Sequence, residues 1–173
     1  MNPSLAAEGF ATCDLVDEHG ERARVIGSVL LDFGGRRRFK GIAVTIQCFE
    51  DNSRVREAVM APGKGRVLVI DGGGSRRCAL LGDMLAKQAV TNGWEGFVVD
   101  GSVRDSDELR KLDIGVKALG TTPRKSMRNG EGRSAVEIAV AGIAIAPGDH
   151  IFADGDGIVI LSPETSMGGD RRP

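Results

Sequence analysis

Two short motifs in this 173-residue chain carry residue types that do chemistry. Gly82-Asp83 is followed, after twenty intervening residues, by Arg104-Asp105. Aspartate offers hard oxygen to Mg²⁺ or Mn²⁺. The planar fork of arginine suits bidentate carboxylate binding or the charge of an enolate oxygen. A glycine before a helix lets a ligand reach the free N–H groups at the positive end of that helix. Both motifs fall just past segments that read as buried parallel strands, and open α/β sheets bind ligands at such strand ends. The same residues have plain structural uses. Asp83 and Asp105 are favoured helix-capping types, and Arg104 is at home on a surface. Glu108, three residues beyond Asp105, is placed to share its helix face.

The elements that must position these motifs are legible around them. Residues 66–71 form a continuous apolar run closed by Gly72-Gly73-Gly74, which suits a strand buried on both faces. Residues 78–81 read as a short strand, 83–91 as a helix stopped by Asn92-Gly93, and 96–101 as a second buried strand. Residues 105–111 then read as a short helix and 115–120 as a third strand, a βαβ arrangement that predicts a parallel layer. Upstream, residues 6–17 predict a helix with Thr12 and Asp14 as candidate caps, and 25–31 alternate weakly before Gly34-Gly35. Residues 41–48 predict a strand, and 52–59 a helix that Pro62-Gly63 ends. Downstream, 121–132 predict an exposed polar loop. Four short β segments follow at 136–140, 143–146, 149–153 and 157–161, with a frayed tail over 163–173. The sum predicts one compact α/β domain with a mixed β portion at its C-terminal end.

Composition narrows the function classes. With 23 basic and 24 acidic residues and a net charge of −1, nothing global draws the chain to nucleic acid or an anionic membrane. One Trp and no Tyr leave base-stacking platforms poorly supplied. Three widely spaced cysteines, Cys13, Cys48 and Cys78, read as reduced thiols of a cytoplasmic protein. No secretory pattern opens the chain, and no apolar run reaches membrane-spanning length. A zinc site is not expected, since only His19 and His150 are present and Cys/His ligands do not cluster.

Other motifs read as structure. Gly72-Gly73-Gly74-Ser75 fails the dinucleotide pattern because Arg77 stands where the third glycine belongs. It also lacks Gly-Lys-Ser/Thr, so a tight turn, able to wall a pocket, is expected. Asp100 ends a strand, but without those glycines a ribose-binding role is discounted. Arg36 to Lys40 predict a solvated loop or edge strand. Asp154-x-Asp156-Gly157 predicts a hairpin turn, and His150 a structural histidine.

A resemblance spans residues 12 to 162. Its carriers are Phe33-Gly34-Gly35, residues 48–52, residues 65–75, residues 93–96, residues 113–118 and Pro147-Gly148-Asp149. Together they resemble the RraA-like family, which includes regulators of ribonuclease E activity and 4-hydroxy-4-methyl-2-oxoglutarate/4-carboxy-4-hydroxy-2-oxoadipate aldolases. The resemblance implies a swivelling β/β/α-type domain over residues 1–173, a central mixed sheet flanked by helices, and a ring-shaped homotrimer. It implies that Asp105 binds Mg²⁺ or Mn²⁺, partly through water. Gly82, Asp83, Met84 and Leu85 would bind a pyruvate carboxylate through backbone N–H groups, and Arg104 would contact the keto or enolate oxygen. Asp83 would orient a metal-bound water acting as base or acid. The implied chemistry is retro-aldol cleavage to pyruvate, with oxaloacetate decarboxylation through the same enolate. The regulator branch has typically lost one or both carboxylates and binds the ribonuclease instead; here Asp83, Arg104 and Asp105 are all present. The alternative is a regulator of ribonuclease E, with Arg36 to Lys40 and Pro123 to Arg128 as contacts. Longer aldolases supply an acidic residue from a neighbouring subunit, and this shorter chain shows no equivalent. Some relatives were once labelled demethylmenaquinone methyltransferases, a label that the absent nucleotide fingerprint does not support.

Overall fold

Long apolar runs are stable as strands only where both faces are covered, and here three of them lie side by side. The computed structural model describes residues 9–164. In chain order come α1 (Thr12–His19), β1 (Arg24–Ile26), β2 (Leu31–Asp32), β3 (Phe39–Gln47), α2 (Ser53–Val59) and β4 (Arg66–Asp71). Next are β5 (Ala79–Leu81), α3 (Asp83–Thr91), β6 (Gly96–Val103), α4 (Ser106–Leu109) and β7 (Gly115–Thr121). The described part closes with β8 (Arg133–Ser134), β9 (Ile138–Val140), β10 (Ile143–Ile145), β11 (His150–Asp154) and β12 (Gly157–Leu161). The main sheet runs β1-β12-β11-β3-β4-β6-β7-β2. Its centre, β3-β4-β6-β7, is parallel, and both flanks are antiparallel. This is the mixed α/β architecture expected.

The pleat divides the apolar runs between two cores. Leu68, Ile70, Phe97 and Val99 face Val55 and Val59 of α2 and Ala86 and Ala89 of α3. Val67, Val69 and Val98 face Ile138, Val140 and Ile145 of the β9–β10 hairpin, with Ile151 and Ile158. Helices α2 and α3 therefore cover one face, and a hairpin covers the other. Each buried Val, Leu, Ile or Phe among them stabilises the fold by about 1.5–3 kcal/mol. Phe39 explains two strand glycines: its ring lies where a Cβ on Gly96 or Gly115 would stand.

Several expectations change. The described helix α1 begins at Thr12 and continues to His19; residues 6–8 lie outside the described residues, as does the tail from 165. Neither Thr12 nor Asp14 caps it. The Thr12 N–H and Oγ1 instead donate to the Asp154 carboxylate at 2.8 and 2.7 Å. The basic cluster is neither loop nor edge throughout. Arg36 pairs with Glu95 at 2.8 Å and Asp113 at 3.0 Å, while Phe39 and Lys40 open β3, an interior strand. Lys117 is buried in β7, paired with Asp32 at 3.1 Å and donating to the Asp154 carbonyl at 2.5 Å. That knot joins β2, β7 and β11. The 121–132 segment is pinned across the strand ends by Ala79 N–H to Arg124 O at 2.8 Å and Met127 N–H to Glu50 O at 2.8 Å.

Candidate active site

Strand register brings the two motifs together. β5 runs parallel to β6 with Leu81 opposite Val103, so the chain leaves both strands at one edge. β6 continues past Asp100 and Gly101 to Val103, which places Arg104-Asp105 directly at its end. The Arg104 N–H donates to Leu81 O at 2.9 Å and closes the junction.

Asp83 is the first residue of α3, and Gly82 takes the cap position. The Asp83 carboxylate turns along the helix to Lys87 Nζ at 2.7 Å. That hydrogen bond holds the Asp83 carboxyl below its ordinary range, against the upward push of burial. Asp83 is therefore ionised throughout the neutral range.

Asp105 precedes α4 in the left-handed region, with φ 56° and ψ 42°, and its side chain makes no capping hydrogen bond to α4. A non-glycine residue held there costs about 1–3 kcal/mol. The conformation aims its Oδ2 at the Asp83 N–H, 3.3 Å away, and sets it 3.5 Å from Arg104 Nε. Gly82 is required by space: a Cβ there would stand 2.8 Å from Asp105 Oδ2 and 3.2 Å from Arg104 Cγ. Ala86 is the first α3 residue to bond back, to Gly82 O at 3.1 Å. The Met84 N–H lies against the Asp83 carboxylate, and the Leu85 N–H is left as a donor among the described residues at the positive end of the helix. Glu108 lines the same cleft as Asp105 but is engaged by Lys111 at 2.7 Å.

Two hollows meet at Arg104 and Asp105. One is a narrow recess of about 60 Å³, bounded by the Gly82–Leu85 turn and by Asn52, Lys125, Ser126 and Arg128. The other is an open cleft of about 340 Å³ beside Ser106, Asp107, Glu108 and Thr121. Among the described residues, buried Asn52 Oδ1 and Ser126 Oγ have no hydrogen-bond partner, a costly state unless a ligand or water meets them. Sequence reading assigned neither to the site. The available signal was position: a polar, basic segment directly after the third parallel strand returns along the edge that carries both motifs.

Among the described residues, no three His, Cys, Asp or Glu side chains converge as a metal cage. The donors here are oxygens only, chiefly Asp105 with Asp83 beside it. Mg²⁺ and Mn²⁺ accept one or two carboxylates and take remaining ligands from water and substrate, so this set fits them. The other motifs stay apart. Gly72-Gly73-Gly74 turns tightly, with Gly73 N–H bonded to Asp71 Oδ1 at 3.0 Å, and lines a separate hollow. Asp100 sits inside β6, where burial and then Asp71 push its carboxyl upward. Asp154 and Gly157 pair across the β11–β12 turn, and His150 opens β11.

The fold and site define an α/β domain with a carboxylate–arginine cluster where adjacent parallel strands end. The chain belongs to the RraA-like family, whose model, described as Aldolase/RraA, matches residues 12–160. It is 55% identical over 149 residues, 86% of this chain and 92% of the relative, to an Alkalilimnicola ehrlichii protein named "Putative 4-hydroxy-4-methyl-2-oxoglutarate aldolase". Among solved structures it resembles the RNA-processing inhibitor RraA from Thermus thermophilis, with 43% identity, TM-score 0.87, and 94% and 99% of the two chains covered. It also resembles a structure from Geobacillus kaustophilus HTA426 described as an S-adenosylmethionine:2-dimethylmenaquinone methyltransferase, with 41% identity, TM-score 0.87, and 90% and 96% covered.

Proposed function

We propose that this chain is a divalent-metal-dependent pyruvate lyase. It cleaves 4-hydroxy-4-methyl-2-oxoglutarate to two pyruvates and decarboxylates oxaloacetate. The observation that carries the reading is the convergence of Asp83, Arg104 and Asp105 around Gly82 at the start of α3.

The Leu85 N–H at the start of α3 holds the C1 carboxylate of the 2-oxo acid. Arg104 faces the C2 oxygen and stabilises the negative charge it gains as C3–C4 breaks, an electrostatic contribution that grows toward the transition state. Asp83, ionised, orients the water that takes the C4 hydroxyl proton. The C4 fragment leaves as pyruvate, and the remaining enolate takes a proton to become the second. In oxaloacetate the same enolate forms as CO₂ departs. A Mg²⁺ or Mn²⁺ ion, held by Asp105, supplies Lewis-acid polarisation of the keto acid when bound. The reading includes a homotrimer, supported by Met84, 79% exposed at the rim of the site, and a reducing cytoplasmic setting, supported by three free cysteines.

Pyruvate release from both substrates, with Mg²⁺ or Mn²⁺ and with EDTA, tests the proposal once metal-only background is subtracted. Arg104→Ala and Asp105→Ala should each lower turnover by about 10²–10³-fold while light scattering still reports a trimer. Full activity in both variants would overturn the assignment.

A second reading, a protein-binding regulator of ribonuclease E, is favoured by the match to the RNA-processing inhibitor. Its basic surface is narrower than the sequence implied, because Arg36 is held by Glu95 and Asp113. Ribonuclease E assays in which the chain at micromolar concentration leaves cleavage unchanged would remove it.

A further inference from the structure

Two polar atoms on the recess wall await a hydrogen-bond partner. Asn52 is 8% exposed and Ser126 9%, and among the described residues nothing meets Asn52 Oδ1 or Ser126 Oγ. Backbone bonds fix their places. Asn52 N–H donates to Met127 O at 3.2 Å, and Asn129 N–H donates to the Asp51 carboxylate at 2.6 Å. The segment that carries Ser126 is thus held against the start of α2, beside the recess. The Asn52 amide is oriented as well. Its Nδ2 donates to Leu80 O at 3.4 Å, and reversal would set Oδ1 against that carbonyl, acceptor to acceptor. Asn52 Oδ1 therefore only accepts, and the group it awaits must bring a proton. An ionised carboxylate has none. A water has, and Ser126 Oγ can bond the same water. The recess, about 60 Å³, exceeds the roughly 15 Å³ that one water needs.

We propose that Asn52 and Ser126 position a water that delivers the proton to C3 of the enolate. Proton gain at C3 is then served by a different water from the one that takes the C4 hydroxyl proton. The proposal rests on the lyase reading and assigns its last step to residues outside the Asp83, Arg104 and Asp105 cluster. Both are positioning residues, because they act through the water.

The chemistry calls for such a donor. Bond cleavage leaves the electron pair of C3 in the enolate, and pyruvate forms only when C3 takes a proton. The enolate oxygen re-forms the C2 carbonyl, and the C2–C3 π pair becomes the new C3–H bond. One O–H bond of the water breaks, leaving hydroxide. Lys125 and Arg128 line the same recess and favour that negative charge. A solvent proton entering by the open cleft restores the water. In oxaloacetate decarboxylation this is the one proton taken up, and in retro-aldol cleavage the proton lost from the C4 hydroxyl balances it. Asp83, ionised and bound to Lys87, is suited to taking a proton rather than giving one.

Pyruvate reads this step without cleavage, because enolisation and return in D₂O exchange its methyl hydrogens. With Mg²⁺, proton NMR should show the wild-type chain exchanging them. Ser126→Ala should slow that exchange by about a hundredfold, the lower end of what a positioned proton donor contributes. Ser126→Thr, which keeps the hydroxyl, should restore it, and Asn52→Ala should slow it as Ser126→Ala does. Ser126→Ala decides the matter if Asn52→Ala fails to fold, since the Oγ it removes has no bond to lose among the described residues. With oxaloacetate, after subtraction of metal-only background, first-turnover CO₂ should run ahead of pyruvate in Ser126→Ala and keep pace with it in the wild type. Wild-type exchange in a folded Ser126→Ala would overturn the water assignment and leave the lyase reading standing. CO₂ and pyruvate slowed in step would place Ser126 before bond cleavage and overturn it equally. A wild-type chain that neither releases pyruvate nor exchanges deuterium would remove the lyase reading and this step with it.

Discussion

A single methyl group at position 82 should separate folding from chemistry. The backbone there, φ −135° and ψ −174°, is extended and open to any residue, so Gly82→Ala carries no conformational strain. Space decides the outcome. The new Cβ would lie 2.8 Å from Asp105 Oδ2 and 3.2 Å from Arg104 Cγ, inside the roughly 3.5 Å at which non-bonded atoms rest. Both side chains are partly exposed and can give way by about half an ångström. In doing so Asp105 loses its 3.3 Å hydrogen bond from the Asp83 N–H. One such bond contributes about 1 kcal/mol, which lowers the melting temperature of a domain this size by about 2–4 °C. Chemistry is less forgiving: a full ångström of misplacement at reacting groups costs about a hundredfold in rate, so half of that should cost about tenfold. Thermal unfolding and pyruvate release, measured on one preparation, supply both numbers. Wild-type turnover in Gly82→Ala would refute the idea that Arg104 and Asp105 act from the positions seen.

Two further outcomes follow from charge. Asp83 is held below its ordinary value chiefly by Lys87, so its ionised form adds stability above the unfolded carboxylate range that is lost as pH falls through the lowered native value. Lys87→Met should move the acid limb of the pH–rate profile upward; an unmoved limb would separate Asp83 from the rate. Lys117 is 2% exposed and faces Asp32, so Asp32→Ala, which strands the ammonium, should cost about 3 kcal/mol in urea unfolding. Asp32→Leu/Lys117→Met should recover most of that loss, and a double variant no better than the single would argue against the pair.

The parallel centre was legible because continuous apolar runs such as residues 66–71 have few alternatives to a strand buried on both faces. The meeting of the two motifs was legible because they directly follow such strands. What escaped was long-range. Aspartate tolerates a left-handed backbone better than most residues, but capping statistics for Asp105 pointed the other way. Ser126 looked like loop because its burial depends on Ala79 and Glu50, residues distant in the chain that pin the segment down. Likewise Arg36 read as solvated until Glu95 and Asp113 were seen beside it. Periodicity reports what an element does to its own faces; it is silent on partners brought in by topology.

Asp83, Arg104 and Asp105 belong to none of the three apolar clusters. The body of the molecule owes its persistence to those clusters, and the proposed reaction would rest on residues outside them. A lineage could replace both aspartates and inherit an unaltered outline, free to be selected for what its exterior touches. One ancestral solid could in that way yield descendants that break bonds and descendants that only bind, with no intermediate that fails to fold.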